Sequence, residues 1–163
     1  AERARLLKKD EKWKEKLKAY FPEIKVDVIN NSVVIEGENS IDVYALKQVF
    51  LAFGRGFDLE TSLNLLDENF RLEIIDVSEF ATSRNRQIVL KGRVIGEKGK
   101  AKRTIEEFTN TKISVYGKTV SIIGRIEDVE IAKRAVVMLL NGAMHRTVYR
   151  FLERQKSLRR RLF

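Results

Sequence analysis

Apolar residues follow two rhythms along this chain, and the same succession of rhythms occurs twice. Val33-Val34-Ile35-Glu36-Gly37 is followed by Val43, Leu46, Phe50 and Phe53 at helical spacing, up to Gly56. Val120-Ser121-Ile122-Ile123-Gly124 is followed likewise by Val129, Ala132, Val136 and Leu139, up to Gly142. Several pairs are offset by 86 positions: Val43 and Val129, Lys47 and Lys133, Gly56 and Gly142. Each copy predicts a strand, a short turn, an amphipathic helix and a glycine stop. A further strand precedes each, Ile24–Ile29 and Lys112–Tyr116, with Asn30-Asn31 and Gly117-Lys118 as hairpin turns. Before each hairpin lies a basic helix, about Asp10–Tyr20 and Lys100–Phe108. In the first of these, Trp13, Leu17 and Tyr20 form an apolar stripe. Trp13 is read as core, and the lysines between Lys8 and Lys18, alternating with Glu11 and Glu15, as a solvated face.

The second copy carries an additional strand, Leu72–Val77, and a helix, about Ser83–Ile95, which gives β-α-α-β-β-α. A connecting helix at about Asp58–Leu66 precedes a boundary near Asp67–Phe70. The pattern thus predicts an α+β chain with domains over 1–69 and 70–163. A last helix is expected from Ala143 to about Arg160. Met144, Val148, Phe151 or Leu152, and Gln155 share its apolar face, and Arg146, Arg150 and Arg154 form an arginine stripe in solvent.

Composition narrows the function classes. Hydrophobic residues make up 44% of the 163, enough for a packed core. The absence of cysteine excludes disulfides, zinc fingers and thiol catalysis, and the single histidine, His145, excludes a multi-histidine metal site. His145 is expected to cap or pack near a helix start, and Glu106-Glu107 to lie on a helix surface. No apolar run approaches the ~20 residues of a membrane span, so a soluble intracellular protein without a cofactor is expected. The formal net charge is +9, and it is unevenly spread. Residues 1–69 hold 11 basic and 13 acidic residues, whereas residues 70–163 hold 21 and 10. The whole excess lies in the second half, as expected where only that half meets a polyanion.

The candidate chemistry lies in Gly92-Arg93-Val94-Ile95-Gly96-Glu97-Lys98-Gly99-Lys100-Ala101-Lys102-Arg103. A Walker loop requires glycine where Val94 stands and Ser or Thr where Ala101 stands, and a dinucleotide fingerprint also requires glycine at 94. A Gly-x-x-Gly loop between two helices, as in KH domains, fits every position. Glycines there permit close approach of a single-stranded RNA backbone, and the following helix directs free N–H groups and its positive dipole end at phosphates. Lys98, Lys100, Lys102 and Arg103 add charge, with Gly92 and Arg93 just before the loop and Glu97 within it. Arg84, Arg86 and Lys91 lie on the helix leading in, and Ile95 and Ile113 are expected to form an apolar floor for bases. Aspartates at Gly96 and Gly99 are expected to abolish most single-stranded RNA binding without unfolding the domain. Arg159-Arg160-Arg161 reads either as a frayed basic end or as a phosphate clamp.

The stretch from Gly92 through Arg150 resembles the second KH domain of the archaeal and eukaryotic small-subunit assembly factors called partner of Nob one, or Dim-two. The residues that carry the likeness include the loop segment Gly92–Gly96, Thr104-Ile105-Glu106-Glu107, Val115-Tyr116-Gly117-Lys118-Thr119-Val120, Ala132-Lys133-Arg134-Ala135, and Val148-Tyr149-Arg150-Phe151-Leu152-Glu153-Arg154. The first half resembles that family's first KH domain through Phe53-Gly54-Arg55-Gly56-Phe57, but Lys8-Lys9-Asp10-Glu11 stands where its loop would be. The strand that opens such a domain is expected to precede Ala1.

The resemblance implies two tandem type I-like KH domains, each a three-stranded sheet packed by helices, with a C-terminal basic helix. It implies a non-enzymatic ribosome biogenesis factor at the single-stranded 3′ end of small-subunit rRNA, with a Nob-one-type endonuclease as partner. It implies a cytoplasmic protein if archaeal, nucleolar and cytoplasmic if eukaryotic. Two rivals remain: a translation-linked module docking an initiation-factor subunit, and an RNA-processing enzyme. Against the enzyme, no carboxylate cluster, histidine pair or nucleophile motif is visible.

Overall fold

The computed structural model describes residues 3–162. They divide into two compact units, Ala1–Asp67 and Glu68–Phe163.

The first unit opens with a short helix α1 (Ala4–Leu7), which the sequence pattern does not predict, and then α2 (Lys12–Tyr20). Strands β1 (Lys25–Ile29) and β2 (Ser32–Glu36) form a two-stranded antiparallel sheet. Three strands are expected of a KH module, and the third is absent among the described residues. Asn30 and Asn31, with φ of 48° and 64°, supply the hairpin turn, since asparagine tolerates positive φ. Helix α3 (Ser40–Gly54) starts at Asn39, whose Oδ1 accepts from Ile41 N at 3.0 Å. Helix α4 (Leu59–Leu63) ends in a 3-10 turn, Asn64–Leu66. The core joins Leu7, Trp13 and Leu17 to Leu46, Phe50 and Phe53. Trp13 packs edge-on to Phe50 with ring centroids 5.6 Å apart, and its Nε1 donates to the Leu7 carbonyl at 3.0 Å. Tyr20 is 74% exposed, so the apolar stripe of α2 consists of Trp13 and Leu17 alone.

The second unit runs β3 (Phe70–Asp76), α5 (Arg84–Ile95), α6 (Lys100–Thr109), β4 (Lys112–Tyr116), β5 (Thr119–Arg125), α7 (Ile126–Leu140) and α8 (His145–Leu162). Its sheet has the order β3-β5-β4, all antiparallel. Ser83 Oγ caps α5 by accepting from Arg86 N at 3.2 Å. Asn110, with φ 52°, ends α6 in the left-handed conformation. Val120 and Ile122 from β5 meet Leu90 and Val94 from α5, Ile105 from α6, Val129, Val136 and Leu139 from α7, and Val148 and Leu152 from α8.

Ion pairs tie the elements of this unit together. Arg71 bonds Glu130 and lies 3.3 Å from Glu73, which Lys133 meets at 2.7 Å, so β3 is tied to α7. The Arg71 guanidinium holds the Glu130 carboxyl below the usual carboxylate value, and the hydroxyl and N–H of Ser78 do the same for Asp76. These contributions are present above ordinary carboxylate values and are lost as pH falls through the lowered folded ones. Arg159 bonds the buried Asp128, which fastens the far part of α8 to the first turn of α7.

The duplication seen in the sequence is repeated in the geometry. Val26–Ile35 and Val28–Val33 pair in the first hairpin as Ile113–Ile122 and Val115–Val120 pair in the second, the same register shifted by 87 positions. Helices α3 and α7 both have 15 residues, and their bounds are shifted by 86. A Cβ on Gly37 would lie 3.2 Å from Val43 Cγ2, and one on Gly124 would lie 3.4 Å from Val129 Cγ2. Both repeats therefore use a glycine where the strand leaves beneath the first turn of its helix.

Candidate nucleic-acid interface

Helix α5 buries Gln87, Leu90 and Val94, at i, i+3 and i+7, which leaves Arg84, Ile88, Gly92 and Ile95 on its outer side. The helix stops at Gly96, whose N–H bonds the Gly92 carbonyl at 2.8 Å. The chain then makes one 3-10 turn, Glu97–Gly99, and re-enters helix as α6. Lys98 sits in the left-handed region with φ 52°, a strained setting for a lysine. Arg103 Nη1 donates to the Lys98 carbonyl at 2.7 Å and braces the loop.

The start of α6 lacks both devices that its neighbours in this unit use. Helix α5 has a side-chain cap and α7 has Glu127 and Asp128 in its first turn, whereas α6 has no side-chain cap and no acid in its first turn. Its first residues are instead Lys100, Ala101, Lys102 and Arg103. Cations at a helix N-terminus oppose the macrodipole. Uncapped N–H groups among cations form an anion site, so this arrangement is favourable once phosphate is bound.

The two loop glycines play different parts. Gly96 has φ 76° and ψ 174°, a conformation open essentially only to glycine. A Cβ there would lie 2.6 Å from Ala101 Cβ and 2.7 Å from Ala101 N. At Gly99, with φ 75°, the nearest atom would be the end of the Arg103 side chain at 3.2 Å. The expectation that aspartate at both positions leaves the fold intact is therefore corrected at Gly96, where the backbone of α6 occupies the space.

Several other expected contacts are placed differently. Ile113 is 4% exposed and lies in the core, so its side chain is no floor for bases. Ile95 is 37% exposed at the loop's edge, and Ile88, at 54%, continues its stripe with Gly92 between them. Sequence reasoning missed Ile88, although the i, i+4, i+7 spacing of 88, 92 and 95 carries the signal. Arg93 is half-buried and donates to the carbonyls of Leu139, at 3.1 Å, and of Ala143. It secures the α7–α8 junction rather than standing as a free cation. Lys91 reaches the Gly117 carbonyl at 2.9 Å. Glu106 is half-buried rather than free on the surface: its carboxylate accepts from Ile113 N at 3.0 Å and from Lys102 Nζ at 3.2 Å, which joins α6 to β4 and restrains Lys102. Arg84, Arg86, Glu97, Lys98, Lys100 and Arg103 are exposed.

On α8, Val148 and Leu152 are buried, whereas Met144, just before the helix, is 63% exposed and does not belong to the apolar face. Arg146, Arg150 and Arg154 are exposed. His145 Nε2 lies 2.9 Å from the Arg93 carbonyl, where it closes the last turn of α5 beside the loop. Among the described residues, no group of three or more His, Cys, Asp or Glu is placed to hold a metal ion. Among the same residues, no helix is long and apolar enough to cross a membrane.

These features have close counterparts in known proteins. A KH domain-containing protein of Methanocaldococcus jannaschii is 46% identical over 120 residues, 74% of this chain and 53% of that protein. The pre-rRNA-processing protein pno1 of Aspergillus fumigatus is 31% identical over 109 residues, 65% of this chain and 43% of that protein. The chain spans about half the length of the curated relatives it matches. Among solved structures, Dim2p of Pyrococcus horikoshii has a TM-score of 0.75 at 37% identity, covering 86% of each chain. A complex of a/eIF2alpha, aDim2p and rRNA from the same organism has a TM-score of 0.78 at 37% identity, covering 88% of this chain and 82% of that one. The family model for the second KH domain of PNO1, described as a eukaryotic type KH-domain (KH-domain type I), matches residues 71–157, which span the loop, both helices beside it and all of the sheet except Phe70. With that match over more than half its length, the chain belongs to the PNO1/Dim2 family of KH-domain proteins.

Proposed function

We propose that this protein is a single-stranded RNA-binding factor of small ribosomal subunit biogenesis and performs no chemistry itself. The observation that carries the reading is the Gly96–Gly99 loop opening onto an uncapped, basic helix start, which fits a phosphate backbone. Relatives named as pre-rRNA-processing proteins, and a solved neighbour in complex with rRNA, support ribosomal RNA as the substrate class. The finer reading is that the protein sits near the 3′ end of small-subunit rRNA and presents it to a Nob-one-type endonuclease. Its place is then the cytoplasm, or the nucleolus and cytoplasm in a eukaryote.

We read the first unit as a degenerate KH module over 1–69 and the second as the RNA-binding module over 70–163. The matched hairpin registers support a tandem origin, and Lys8-Lys9-Asp10-Glu11 gives the first unit no Gly-x-x-Gly loop. A protein-docking role for that unit is the second reading, favoured by the presence of a/eIF2alpha in the solved complex of a structural neighbour.

Ultraviolet crosslinking of the whole chain to precursor small-subunit rRNA, with both ends of each crosslink mapped, tests the assignment. Crosslinks are expected within residues 84–103 on the protein and near the 3′ end on the RNA. Crosslinks confined to residues 3–67 would overturn the division of labour.

Gly92→Ala gives a second test. Nothing lies within 4 Å of a Cβ added there, so the glycine has no packing reason inside the protein. The substitution is expected to stabilise the helix by about 0.5–1 kcal/mol. It is also expected to weaken RNA binding severalfold, because the new methyl occupies the space above Gly92 where the strand approaches. A more stable protein with undiminished affinity would place the RNA away from this face.

A further inference from the structure

Helix α8 has 18 residues, so it extends about 27 Å at a rise of about 1.5 Å per residue. Its course follows from three contacts. It begins beside the loop, where His145 Nε2 meets the Arg93 carbonyl at 2.9 Å. Farther on, Lys156 Nζ stands 5.3 Å from the ring centre of Phe108, near the end of α6. Beyond that, Arg159 bonds Asp128 at the start of α7. Helix α8 thus runs alongside α6 in the same direction, from the loop toward the far end of the unit.

Val148 and Leu152 face the core, and Gln155 and Arg159 are on the same side. The opposite side presents Arg146, Arg150, Arg154 and Arg161, with Glu153 and Ser157 between them. None of the four arginines has a carboxylate partner among the described residues. Like charges at i, i+4 repel on a helix surface, so the Arg146–Arg150 and Arg150–Arg154 pairs oppose the fold they sit on. A soluble helix face needs no such column, and a polyanion laid along it removes the repulsion.

We propose that this face of α8 is a phosphate track, which receives RNA flanking the few nucleotides held at the Gly96–Gly99 loop. This rests on the RNA-binding reading above and extends it. The KH groove grips about four nucleotides, whereas the track adds backbone contacts without reading bases. It lengthens the footprint on one strand and raises affinity for long RNA only.

The test replaces Arg146, Arg150, Arg154 and Arg161 together with glutamine in the full chain. Binding is measured to a tetranucleotide and to a longer single-stranded RNA containing it, over a range of salt. The wild type is expected to prefer the longer RNA. The variant is expected to lose about tenfold on the longer RNA and nothing on the tetranucleotide. Its log affinity against log salt is expected to flatten by about 3, since each single-strand phosphate contact contributes about 0.7. Circular dichroism is expected to show α8 intact, because glutamine forms helix well and removes the repulsion. Unchanged affinity and slope on the longer RNA overturn the track. Equal losses on both RNAs also overturn it, because the effect then lies at the loop. A wild type that binds both RNAs equally leaves the loop standing without a track, and one that binds neither removes the RNA-binding reading itself. Retained RNA affinity together with lost affinity for polyglutamate would make the face an acidic-protein surface instead.

Discussion

Lys98→Asp is expected to weaken single-stranded RNA binding by roughly tenfold to a hundredfold, the range for losing one charge-assisted hydrogen bond. The fold is expected to persist. Lys98 is exposed at the tip of the loop, and its backbone already holds φ 52°. Aspartate tolerates the left-handed region better than lysine does, so the exchange relieves backbone strain rather than adding it. What changes is charge: a cation beside the uncapped start of α6 becomes an anion where phosphate is to bind. Fluorescence anisotropy with labelled RNA at fixed salt measures the loss, and a melting curve checks the fold. Wild-type affinity in a folded variant would disprove the loop as the binding element. Glu97→Asp serves as the control, because it alters the same tip and keeps the charge.

The contrast between tip and flanks shows which features could be read without a structure. Elements governed by nearest neighbours were legible. The hairpin turns at Asn30-Asn31 and Gly117-Lys118 and the glycine stops all rest on residues acting within one turn of themselves. The Gly-x-x-Gly loop was legible for the same reason. Long-range pairing was not. Arg93 and Leu139 are 46 positions apart, and nothing in a run of basic residues marks which one will be drawn inward to a helix end. Glu106 looked like one of two surface acids until β4 placed the Ile113 N–H above it. Ile113 fits an apolar floor and an apolar core equally well by pattern, and β5 decided between them by putting Ile122 opposite. Met144 lies just before α8, where helical periodicity does not apply. The short helix α1 has too few residues to show a period at all.

Gly96→Ala is expected to destabilise the second unit by about 2–6 kcal/mol, whether or not RNA is present. Two costs combine. Alanine at φ 76° and ψ 174° enters a region reserved for glycine, which costs about 1–3 kcal/mol. Its methyl also arrives 2.7 Å from Ala101 N, in the backbone of α6, and overpacking of this kind costs about 1–3 kcal/mol. Relief by moving α6 is restricted, because Ala101 and Ile105 are both 0% exposed and Glu106 holds β4. Urea unfolding followed by circular dichroism measures the loss, and a midpoint equal to that of the wild type would refute the packing account. Gly99→Asn is the informative partner. Asparagine accepts the left-handed backbone, and only the flexible end of Arg103 stands in the way. That variant is expected to fold and yet to bind RNA poorly, because its side chain stands where a phosphate must approach α6. A Gly96 variant alone, tested only for RNA binding, would confuse a collapsed loop with a blocked one. The pair separates them: Gly96 keeps the turn closed against α6, and Gly99 keeps the helix start open to the ligand.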